Sequence, residues 1–436
     1  MAGTGDTIFA VASGAGRAAI AVLRISGPGS GGVLERLCGK RPEPRRASLR
    51  SIMECSEYVM DRAIVLWFPG PGSFTGEDAA ELHLHGGPAV LRDVAASLVA
   101  LGLRPAEPGE FSRRAFLNGR LDLTEAEAIA DLVDAETTAQ RRQALRQMDG
   151  SLGALLGGWA TTLTMLLAQQ EALIDFPDED LPFEVEAALE AAMRQLLGEM
   201  RAQLDDDRRG ERLREGLVFA VLGAPNVGKS TLVNALAQRD IAIVSPLPGT
   251  TRDVLEARID LGGVPVTLLD TAGLREAADD IEAEGVRRAR DRAAAADAVI
   301  LLESPTEPPP PDATGHTLTI RVTTKADLLD PQTPELPGRL RVSARSGLGM
   351  TALLACLSSH AIALTQAEGP PPLTRARHRA ALSEAAERLA QACAMPYPEL
   401  RAEDLRLALR ALGRITGRVG VEDILDSVFR QFCIGK

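Results

Sequence analysis

Short apolar runs bounded by glycine and proline open the chain. The runs from Ala18 to Ile25 and from Ala63 to Phe68 are typical of strands, and Ala89 to Leu101 has the composition of a helix. From Asp122 to about residue 211, apolar residues recur at helical spacing, which predicts several helices. The first 118 residues therefore differ in kind from the next hundred.

The first of these helices carries a start signal. Thr124 and Glu127 have the spacing of a capping box, in which a hydroxyl and a carboxylate reciprocally satisfy free backbone N–H groups. The spacing predicts that the helix begins at Thr124.

The pattern changes again at Gly216. Strand-like apolar runs there alternate with helical segments, which is typical of a parallel sheet flanked by helices. After about residue 366 helical spacing returns, most clearly at Ala380 to Ala394 and Ala402 to Ile415. The strand-like runs are Val218 to Leu222, Val266 to Leu269, Ala298 to Leu302, Thr317 to Val322 and Leu340 to Val342.

These changes predict a multidomain chain. We expect an α+β N-terminal domain at residues 1–118 and a helical bundle domain made of residues 119–213 and 370–436. An α/β domain with a mostly parallel sheet is expected at residues 214–369, inserted between the two helical blocks.

Composition restricts the function. The formal net charge is −12, which argues against a general, charge-driven grip on DNA or RNA. Local arginine clusters exist, and the simpler interpretation of each is a solvated face rather than a nucleic-acid contact. The clusters are Arg41, Arg45, Arg46 and Arg50 in one stretch, and Arg113 and Arg114 in another.

The cysteines and the hydropathy predict a cytoplasmic protein without a membrane segment. There are 5 cysteines, an odd number with no disulfide-like spacing, so we expect reduced thiols. We see no apolar run of the roughly 18 residues that a bilayer span needs. The N-terminus has no basic segment followed by an apolar core, so no signal peptide is expected.

The segment GAPNVGKS, from Gly223 to Ser230, is the strongest chemical signal. It follows a predicted strand and opens a predicted helix, which is the context that a phosphate chain needs. Lys229 is expected to reach the β and γ phosphates, and Ser230 to offer a hydroxyl to Mg²⁺. A plain strand-to-helix turn without a ligand is the disfavoured alternative.

Two further segments extend this prediction downstream. In the segment from Gly249 to Asp253, a threonine can close over the γ-phosphate and bind Mg²⁺ while that phosphate is present. In the segment from Asp270 to Gly273, the carboxylate can hold the Mg²⁺ hydration shell and the glycine N–H can bond the γ-phosphate. Together these segments describe a nucleoside triphosphate site.

The segment Thr324 to Asp327, TKAD, predicts which base is bound. The Asp327 carboxylate can accept two hydrogen bonds from guanine N1–H and the N2 amine, a pair that adenine cannot supply, so we expect GTP. This pattern usually begins with asparagine, and here Thr324 replaces it. The segment from Ser343 to Arg345 fits the last base-contacting loop.

Many GTPases position the attacking water with a glutamine just after the Asp-x-x-Gly segment. Leu274 occupies that position and cannot polarise water. A monovalent cation could supply positive charge, with Asn226 as a ligand. The candidates for the water-positioning group are Glu276, Asp279, Asp280, Glu282 and Glu284.

Taken with both ends of the chain, these segments closely resemble the bacterial tRNA-modification GTPase family MnmE, also called TrmE. The resemblance covers nearly the whole length, and the C-terminal pentapeptide FCIGK is its most specific part. The other segments that carry it are Phe74 to Asp78, His85 to Pro88, Pro108 to Asn118, Asp122 to Asp131 and Phe432 to Lys436.

The resemblance implies a fold, an activity and a set of partners. It implies a P-loop GTPase domain and, with the flavoprotein partner MnmG, modification of the wobble uridine of certain tRNAs at C5. It implies a homodimer formed through the N-terminal domain. It also implies binding of 5-formyl-tetrahydrofolate or a related reduced folate, together with Mg²⁺ and K⁺.

The family pattern also assigns residues. The matching folate positions are Arg24, Glu81, Arg120 and Lys436, and Arg120 stands where the family often has lysine. Cys433 matches a cysteine near the modification chemistry, and Glu282 matches the glutamate that orients the attacking water. Mg²⁺ is assigned to Ser230 and Thr251, and K⁺ to Asn226, Ser245, Leu247 and Thr250. The nucleotide-binding positions are Asn226, Val227, Gly228, Lys229, Ser230, Thr231, Ser245, Thr250, Thr251, Asp270, Gly273, Thr324, Lys325, Asp327, Ser343 and Ala344.

Other interpretations stay open for single residues. Read alone, Glu282 is a solvated residue at a helix start and Cys433 is a small buried hydrophobe. His83 and His85 are candidates for folate or core contacts rather than for metal ligation.

Two other classes of protein share part of this pattern. A ribosome-assembly GTPase would have the same nucleotide segments, but the acidity of the chain and the Cys433 tail count against it. A GTPase that acts only as a conformational switch for its partners is the harder alternative to exclude, because the oxidation chemistry could reside in the flavoprotein.

Overall fold

The structure is a computed structural model. It describes residues 5–14, 16–54, 58–175, 183–238, 243, 256–270, 294–305, 318–330, 333–334, 336–366, 369–419, 422–430 and 432–435. Its contacts group the chain into two compact units. The first unit comprises Met1–Ala130, Gln147–Met193 and Glu387–Lys436, and the second comprises Asp131–Arg146 and Arg194–Ala386. The three-domain boundaries given above divide the helices differently and stay a prediction.

Among the described residues, the first compact unit contains one six-stranded sheet of order β3-β4-β5-β2-β1-β6. Neighbouring strands are antiparallel, except that β1 and β6 are parallel. The strands are β1 (Ile8–Val11), β2 (Ala18–Ser26), β3 (Ser48–Met53), β4 (Val59–Phe68), β5 (Ala79–Gly86) and β6 (Arg104–Pro105).

Helices complete the core of this sheet. α1 (Ser30–Cys38) and α2 (Pro88–Ala100) contribute Leu34 and Leu98, which are fully buried in one cluster with Leu82 of β5. The alternation of buried and partly exposed positions along β4 and β5 is what a sheet with one covered face requires. The predicted α+β class of the N-terminal part is confirmed.

The second compact unit contains a sheet of order β12-β11-β10-β7-β9-β8, again among the described residues. Every neighbouring pair is parallel except β8 and β9. The strands are β7 (Leu217–Gly223), β8 (Glu256–Leu261), β9 (Val264–Asp270), β10 (Ala298–Glu303), β11 (Thr319–Thr323) and β12 (Arg339–Arg341). All six residues of β10 are buried, as expected for a central parallel strand.

The antiparallel pair was not predicted. Gly262 and Gly263 join β8 to β9 with φ values of 67° and 92°, the left-handed region that a two-residue hairpin turn requires. Ile259 pairs with Val266 across this hairpin. The Gly-Gly pair between two apolar runs was the available signal.

Helices make up most of the remaining described chain. Their bounds are α3 (Glu110–Leu117), α4 (Leu123–Asp134), α5 (Thr138–Met148), α6 (Ser151–Asp175), α7 (Phe183–Leu204), α8 (Arg209–Glu215), α9 (Lys229–Ala237), α10 (Met350–Thr365), α11 (Ala376–Ala394), α12 (Pro398–Thr416) and α13 (Glu422–Phe429). The predicted fold class, an α+β part, helices and an α/β part with a mostly parallel sheet, is confirmed.

α6 departs from the expectation that no apolar run is long enough to span a bilayer. Residues 151–170 contain no charged side chain, and α6 is the one described helix long and apolar enough to cross a bilayer. A single helix of this kind is weak evidence for a membrane span, because core helices of soluble proteins pass the same test. Its Glu171 forms a 2.8 Å ion pair with Arg406 of α12.

The start of α4 also differs from the prediction. Asp122 Oδ1 accepts the backbone N–H of Glu125 at 2.8 Å, and Glu125 Oε2 accepts that of Asp122 at 2.7 Å. The reciprocal pair is therefore Asp122 and Glu125, and the assignment to Thr124 and Glu127 was wrong by two residues. The Thr124 hydroxyl donates to Asp122 Oδ1 at 2.7 Å instead.

Replacing Asp122 tests this cap. We expect Asp122→Ala to destabilise the first compact unit by about 1 kcal/mol, since the N–H of Glu125 in the first turn loses its acceptor. Asp134→Ala, at the other end of the same helix, is the matched control and should cost nothing, because a carboxylate there opposes the helix dipole. Denaturant unfolding followed by circular dichroism measures both, and equal effects would contradict the assignment.

Candidate functional site

A tight loop joins β7 to α9, from Gly223 to Lys229. Gly223 has φ 155°, and a Cβ there would lie 2.7 Å from the carbonyl oxygen of Leu302. Gly228 has φ 104° and Asn226 has φ 61°, both in the left-handed region. The loop needs its glycines because side chains at these positions would collide or be strained.

Lys229 begins α9 and is buried. Its Nζ donates to the carbonyl oxygens of Gly223 and Ala224, each at 2.9 Å. A buried ammonium group therefore lies inside the loop, at the helix end where free backbone N–H groups concentrate positive potential. This arrangement can bind a chain of phosphates.

A hydroxyl and a carboxylate lie together beside this loop. Val221 of β7 pairs with Asp270, the last residue of β9, and the Ser230 hydroxyl donates to the Asp270 carboxylate. Oxygen donors of this kind suit Mg²⁺, which keeps several water and phosphate ligands and needs few protein groups. The residues present therefore fit the predicted ion.

The predicted base-reading segment follows β11. A one-turn 3₁₀ helix, Ala326–Leu328, holds Asp327, whose side chain is exposed. The backbone N–H of Ala326 donates to the carbonyl oxygen of Val342 at 3.1 Å, which places Asp327 beside the loop that begins at Ser343. Ser343 is buried, and its hydroxyl accepts the N–H of Ser346 at 3.2 Å.

Thr324 connects this segment to the phosphate loop. Its hydroxyl donates to the carbonyl oxygen of Val227 at 2.7 Å, with the carbonyl oxygen of Glu303 at 3.2 Å. Thr324 is buried, and its backbone N–H donates to Glu303 O at 2.8 Å. The structure thus joins the predicted base-reading and phosphate-binding segments directly.

The remaining nucleotide positions divide into two groups. Asn226, Ser230 and Thr231 are exposed along the loop and the first turn of α9, and Val227 is buried beneath it. Lys325 adopts a left-handed backbone with φ 52°, and Ala344 is half-buried. Seven positions that the family pattern assigns lie outside the described residues: Ser245, Leu247, Thr250, Thr251, Gly273, Glu282 and Lys436. The four other water-positioning candidates also lie outside them: Glu276, Asp279, Asp280 and Glu284.

In the first compact unit, Arg24 and Glu81 face each other across β2 and β5. Arg24 Nη2 lies 3.1 Å from Glu81 Oε1, and Nε lies 3.2 Å from the same oxygen. The guanidinium carbon is 5.7 Å from the ring centres of both Phe74 and Phe111. An arginine between two aromatic rings is held in one orientation.

The C-terminal tail docks beside this pair. The carbonyl oxygen of Gly435 accepts from Arg24 Nη1 at 3.4 Å. Ile434 forms an isolated antiparallel bridge with Pro108, and Gly435, at φ 100°, lies so close to Val11 that a Cβ would be 2.5 Å from its carbonyl oxygen. Residues 432–435 are therefore packed against the N-terminal sheet.

Two further predicted residues lie in this region. Cys433 is an exposed free thiol, not a buried hydrophobe. Arg120 is exposed and lies against Gly76, where an added Cβ would be 3.2 Å from Arg120 Cγ.

His83 Nε2 lies 3.5 Å from Glu81 Oε2, and His85 Nδ1 lies 2.7 Å from Asp61 Oδ1.

Two family models together match nearly the whole chain. The family model of the GTP-binding protein TrmE N-terminus matches residues 7–120, and that of the MnmE helical domain matches residues 123–433. The tRNA modification GTPase MnmE of Gluconacetobacter diazotrophicus is 60% identical over 98% of both chains. The protein of the same name from Rhodospirillum rubrum is 56% identical over 99% of this chain and 100% of its own.

The chain belongs to the MnmE family.

Solved GTPase structures align with a smaller part of this MnmE-family chain. A variant of Era from Aquifex aeolicus bound to GDP and aluminium fluoride is 23% identical. It covers 39% of this chain and 66% of its own, with a TM-score of 0.26.

A buried ion network supports the docked region of the MnmE-family chain. Arg114, nearly fully buried, pairs with Asp6 at 2.7 Å, Glu77 at 3.1 Å and Glu110 at 2.9 Å. Arg104 pairs with Asp6 and Glu110, each at 2.6 Å. The network joins α3 to the loop at residues 74–78, which carries the Phe74 ring beside Arg24.

This network corrects one interpretation from the sequence. Arg113 and Arg114 were interpreted as a solvated face, which is wrong for Arg114. Arg113 is half-buried and lies 3.3 Å from Asp426. Glu110, four residues before Arg114, has the spacing of an ion pair on one helix face, but this spacing does not indicate that Arg114 is buried.

The network predicts an acid-sensitive contribution to stability. Burial raises the pKa of Glu110, but hydrogen bonds from Arg104, from the Glu107 N–H and from Arg114 outweigh it, so the pKa lies below its ordinary value. A carboxylate with a lowered folded-state pKa stabilises the fold above its unfolded pKa of about 4.3, and this contribution is lost as the pH falls through the folded pKa.

Glu110→Gln measures this contribution. At neutral pH we expect it to destabilise the protein by about 2 kcal/mol, since Gln cannot accept charge-assisted bonds from both arginines. The difference from the native chain should shrink below about pH 4, where Glu110 becomes protonated. Denaturant unfolding across pH, with the exposed Glu107→Gln as control, checks it. A difference independent of pH would contradict the network.

Proposed function

We propose that the protein hydrolyses GTP and, with a flavoprotein partner such as MnmG, modifies C5 of the wobble uridine of certain tRNAs with a reduced folate as one-carbon donor. The family is that of the tRNA modification GTPases, and relatives of that name match the chain over 98–99% of its length. The observation that supports folate-dependent modification of uridine is the docking of residues 432–435 beside Arg24 and Glu81.

The chain's own groups account for nucleotide binding. Lys229 and the first N–H groups of α9 neutralise the phosphates, and Ser230 offers its hydroxyl to Mg²⁺, with Thr251 as the second protein ligand. Asp270 accepts from Ser230 and can hold a water of the Mg²⁺ shell. Mg²⁺ supplies charge neutralisation at the β and γ phosphate oxygens.

Base choice rests on Asp327. Its exposed carboxylate stands beside the Ser343 loop, where it can accept from guanine N1–H and the N2 amine together. Adenine presents no such pair of donors. Guanine selection therefore needs no further charged group.

Water activation falls to Glu282 in this proposal. Leu274 has no polar atom with which to position water. K⁺ held by Asn226, with Ser245, Leu247 and Thr250, would add positive charge near the leaving phosphate. We propose that hydrolysis depends on the pairing of two nucleotide-binding domains of a homodimer.

The Arg24 region has the chemistry for a reduced folate. A pterin presents N–H donors that the Glu81 carboxylate can accept, and the glutamate tail of folate presents carboxylates that guanidinium groups bind. Arg24, Arg120 and Lys436 are the proposed cationic groups. The exposed Cys433 thiol stands at the same end of the tail, where it can approach a substrate base.

Folate binding tests the first part of the proposal. We expect Arg24→Met to weaken binding of 5-formyl-tetrahydrofolate by about 10- to 100-fold, the loss of a charge-assisted hydrogen bond. Arg62→Met, an exposed arginine on the same sheet, should bind as the native protein does. Titration calorimetry on the full chain measures both affinities.

Arg24→Met and a further variant, Cys433→Ser, separate modification from GTP hydrolysis. Arg24→Met and Cys433→Ser should lose wobble-uridine modification in the presence of the flavoprotein, while GTP turnover stays at the native rate. If both variants modified tRNA normally, the chain would act as a conformational switch without modifying chemistry of its own.

Cation dependence tests the hydrolytic part. GTP turnover should be about tenfold or more slower in sodium than in potassium, because the proposed loop no longer has a cation of the right size to complete the charge. Asn226→Ala should remove the difference, whereas Asn234→Ala, exposed on α9, should keep it. Equal native rates in the two salts would remove the proposed role of Asn226.

A further inference from the structure

Thr324 occupies the position at which base-reading segments usually carry asparagine. The residue is only 5% exposed, and its hydroxyl oxygen lies 2.7 Å from Val227 O and 3.2 Å from Glu303 O. Both neighbours are backbone carbonyl oxygens, which accept hydrogen bonds and cannot donate them. The hydroxyl is therefore the donor in either contact.

A hydroxyl has a single proton to donate. The shorter contact, to Val227 O, takes this proton, and the oxygen is left with lone pairs alone. N7 of a purine is also an acceptor, so two acceptors would face each other if the Thr324 oxygen met N7. An asparagine side chain, in contrast, carries two N–H donors and could serve a carbonyl oxygen and N7 at once.

The bond to Val227 has a structural role that explains why the proton is kept there. Val227 lies in the phosphate loop and is buried, and its side chain would be 2.9 Å from a Cβ at Gly223. Thr324 itself is fixed by its backbone N–H, which donates to Glu303 O at the end of β10. The hydroxyl thus ties the phosphate loop to the carboxyl end of β11.

We propose that this protein binds guanine without a hydrogen bond to N7. Thr324 is a positioning residue that holds the phosphate loop, and selectivity comes from the N1–H and N2 edge of the base. This inference rests on the base reading by Asp327 proposed above. It adds that N7, which guanine shares with adenine, receives no hydrogen bond from Thr324.

The probe is 7-deaza-GDP, in which a C–H group replaces N7 and the rest of the guanine edge is kept. The native protein should bind GDP and 7-deaza-GDP within about twofold of each other, because no hydrogen bond is lost. Thr324→Asn should bind GDP about two- to tenfold more tightly than the native protein, the range of one net hydrogen bond, with no gain for 7-deaza-GDP. Competition against a fluorescent guanine nucleotide on the full chain measures all four affinities.

Two further variants test the role of the Thr324 hydroxyl as a donor. Thr324→Ser retains the hydroxyl and should behave as the native protein does. Thr324→Val removes the donor and should weaken both nucleotides equally, because the phosphate loop loses its tie while the base edge is unaffected. A native preference for GDP over 7-deaza-GDP of about fivefold or more would overturn the proposal. An equal gain for both nucleotides in Thr324→Asn would do the same.

The variant Asp327→Asn distinguishes a failure of the base reading by Asp327 from a failure of the inference about Thr324. Xanthine has a carbonyl oxygen at C2 where guanine has an amine, so Asp327→Asn should shift preference from GDP to xanthosine diphosphate. If Asp327→Asn keeps its preference for GDP, the reading by Asp327 is wrong. If the shift occurs and the native protein still discriminates against 7-deaza-GDP, only the inference about Thr324 fails.

Discussion

Parallel pairing of four adjacent strands brings the chemistry of the second compact unit to one edge. In register, Leu302 of β10 pairs with Gly223 of β7, and Glu303 pairs with Thr323 of β11. Because parallel strands end at the same side of a sheet, the phosphate loop, the Asp270 carboxylate and the base-reading segment all begin there. Ligand binding in this unit depends on that register, since a shift by one residue would turn every one of these side chains to the opposite face.

In the first compact unit, side-chain contacts position residues that are far apart in the chain. Arg114, whose side chain is largely buried, pairs with three carboxylates, of which Glu77 and Glu110 are also largely buried and Asp6 is partly exposed; an unpaired charge at Arg114 would be costly. The network fixes the loop carrying Phe74, and Phe74 with Phe111 fixes the Arg24 guanidinium. The orientation of the half-buried Arg24 guanidinium thus depends on ion pairs that Arg24 itself does not form.

Local sequence signals predicted the phosphate loop and most of the described strands, because glycine spacing and apolar runs act within a few residues. The cap of α4 was displaced because Asp122 accepts the N–H of Glu125, so Thr124 lies inside the helix and its hydroxyl donates to Asp122 Oδ1. Burial of Arg114 could not be read locally: its partner Asp6 lies 108 residues away along the chain. The Thr324 contact with Val227 spans 97 residues and has no local signal either.

The composition of the first compact unit has a consequence for synthesis. The unit takes its first 130 residues from the start of the chain and its last 50 or so from Glu387 onward. Its small apolar cluster of Leu123, Phe429 and Phe432 needs both. The ribosome must therefore release the residues between Leu123 and Phe432, the nucleotide-binding sheet included, before this cluster can close. A nascent chain stalled before Glu387 would present the Leu123 surface uncovered, at the stage when chaperones meet it.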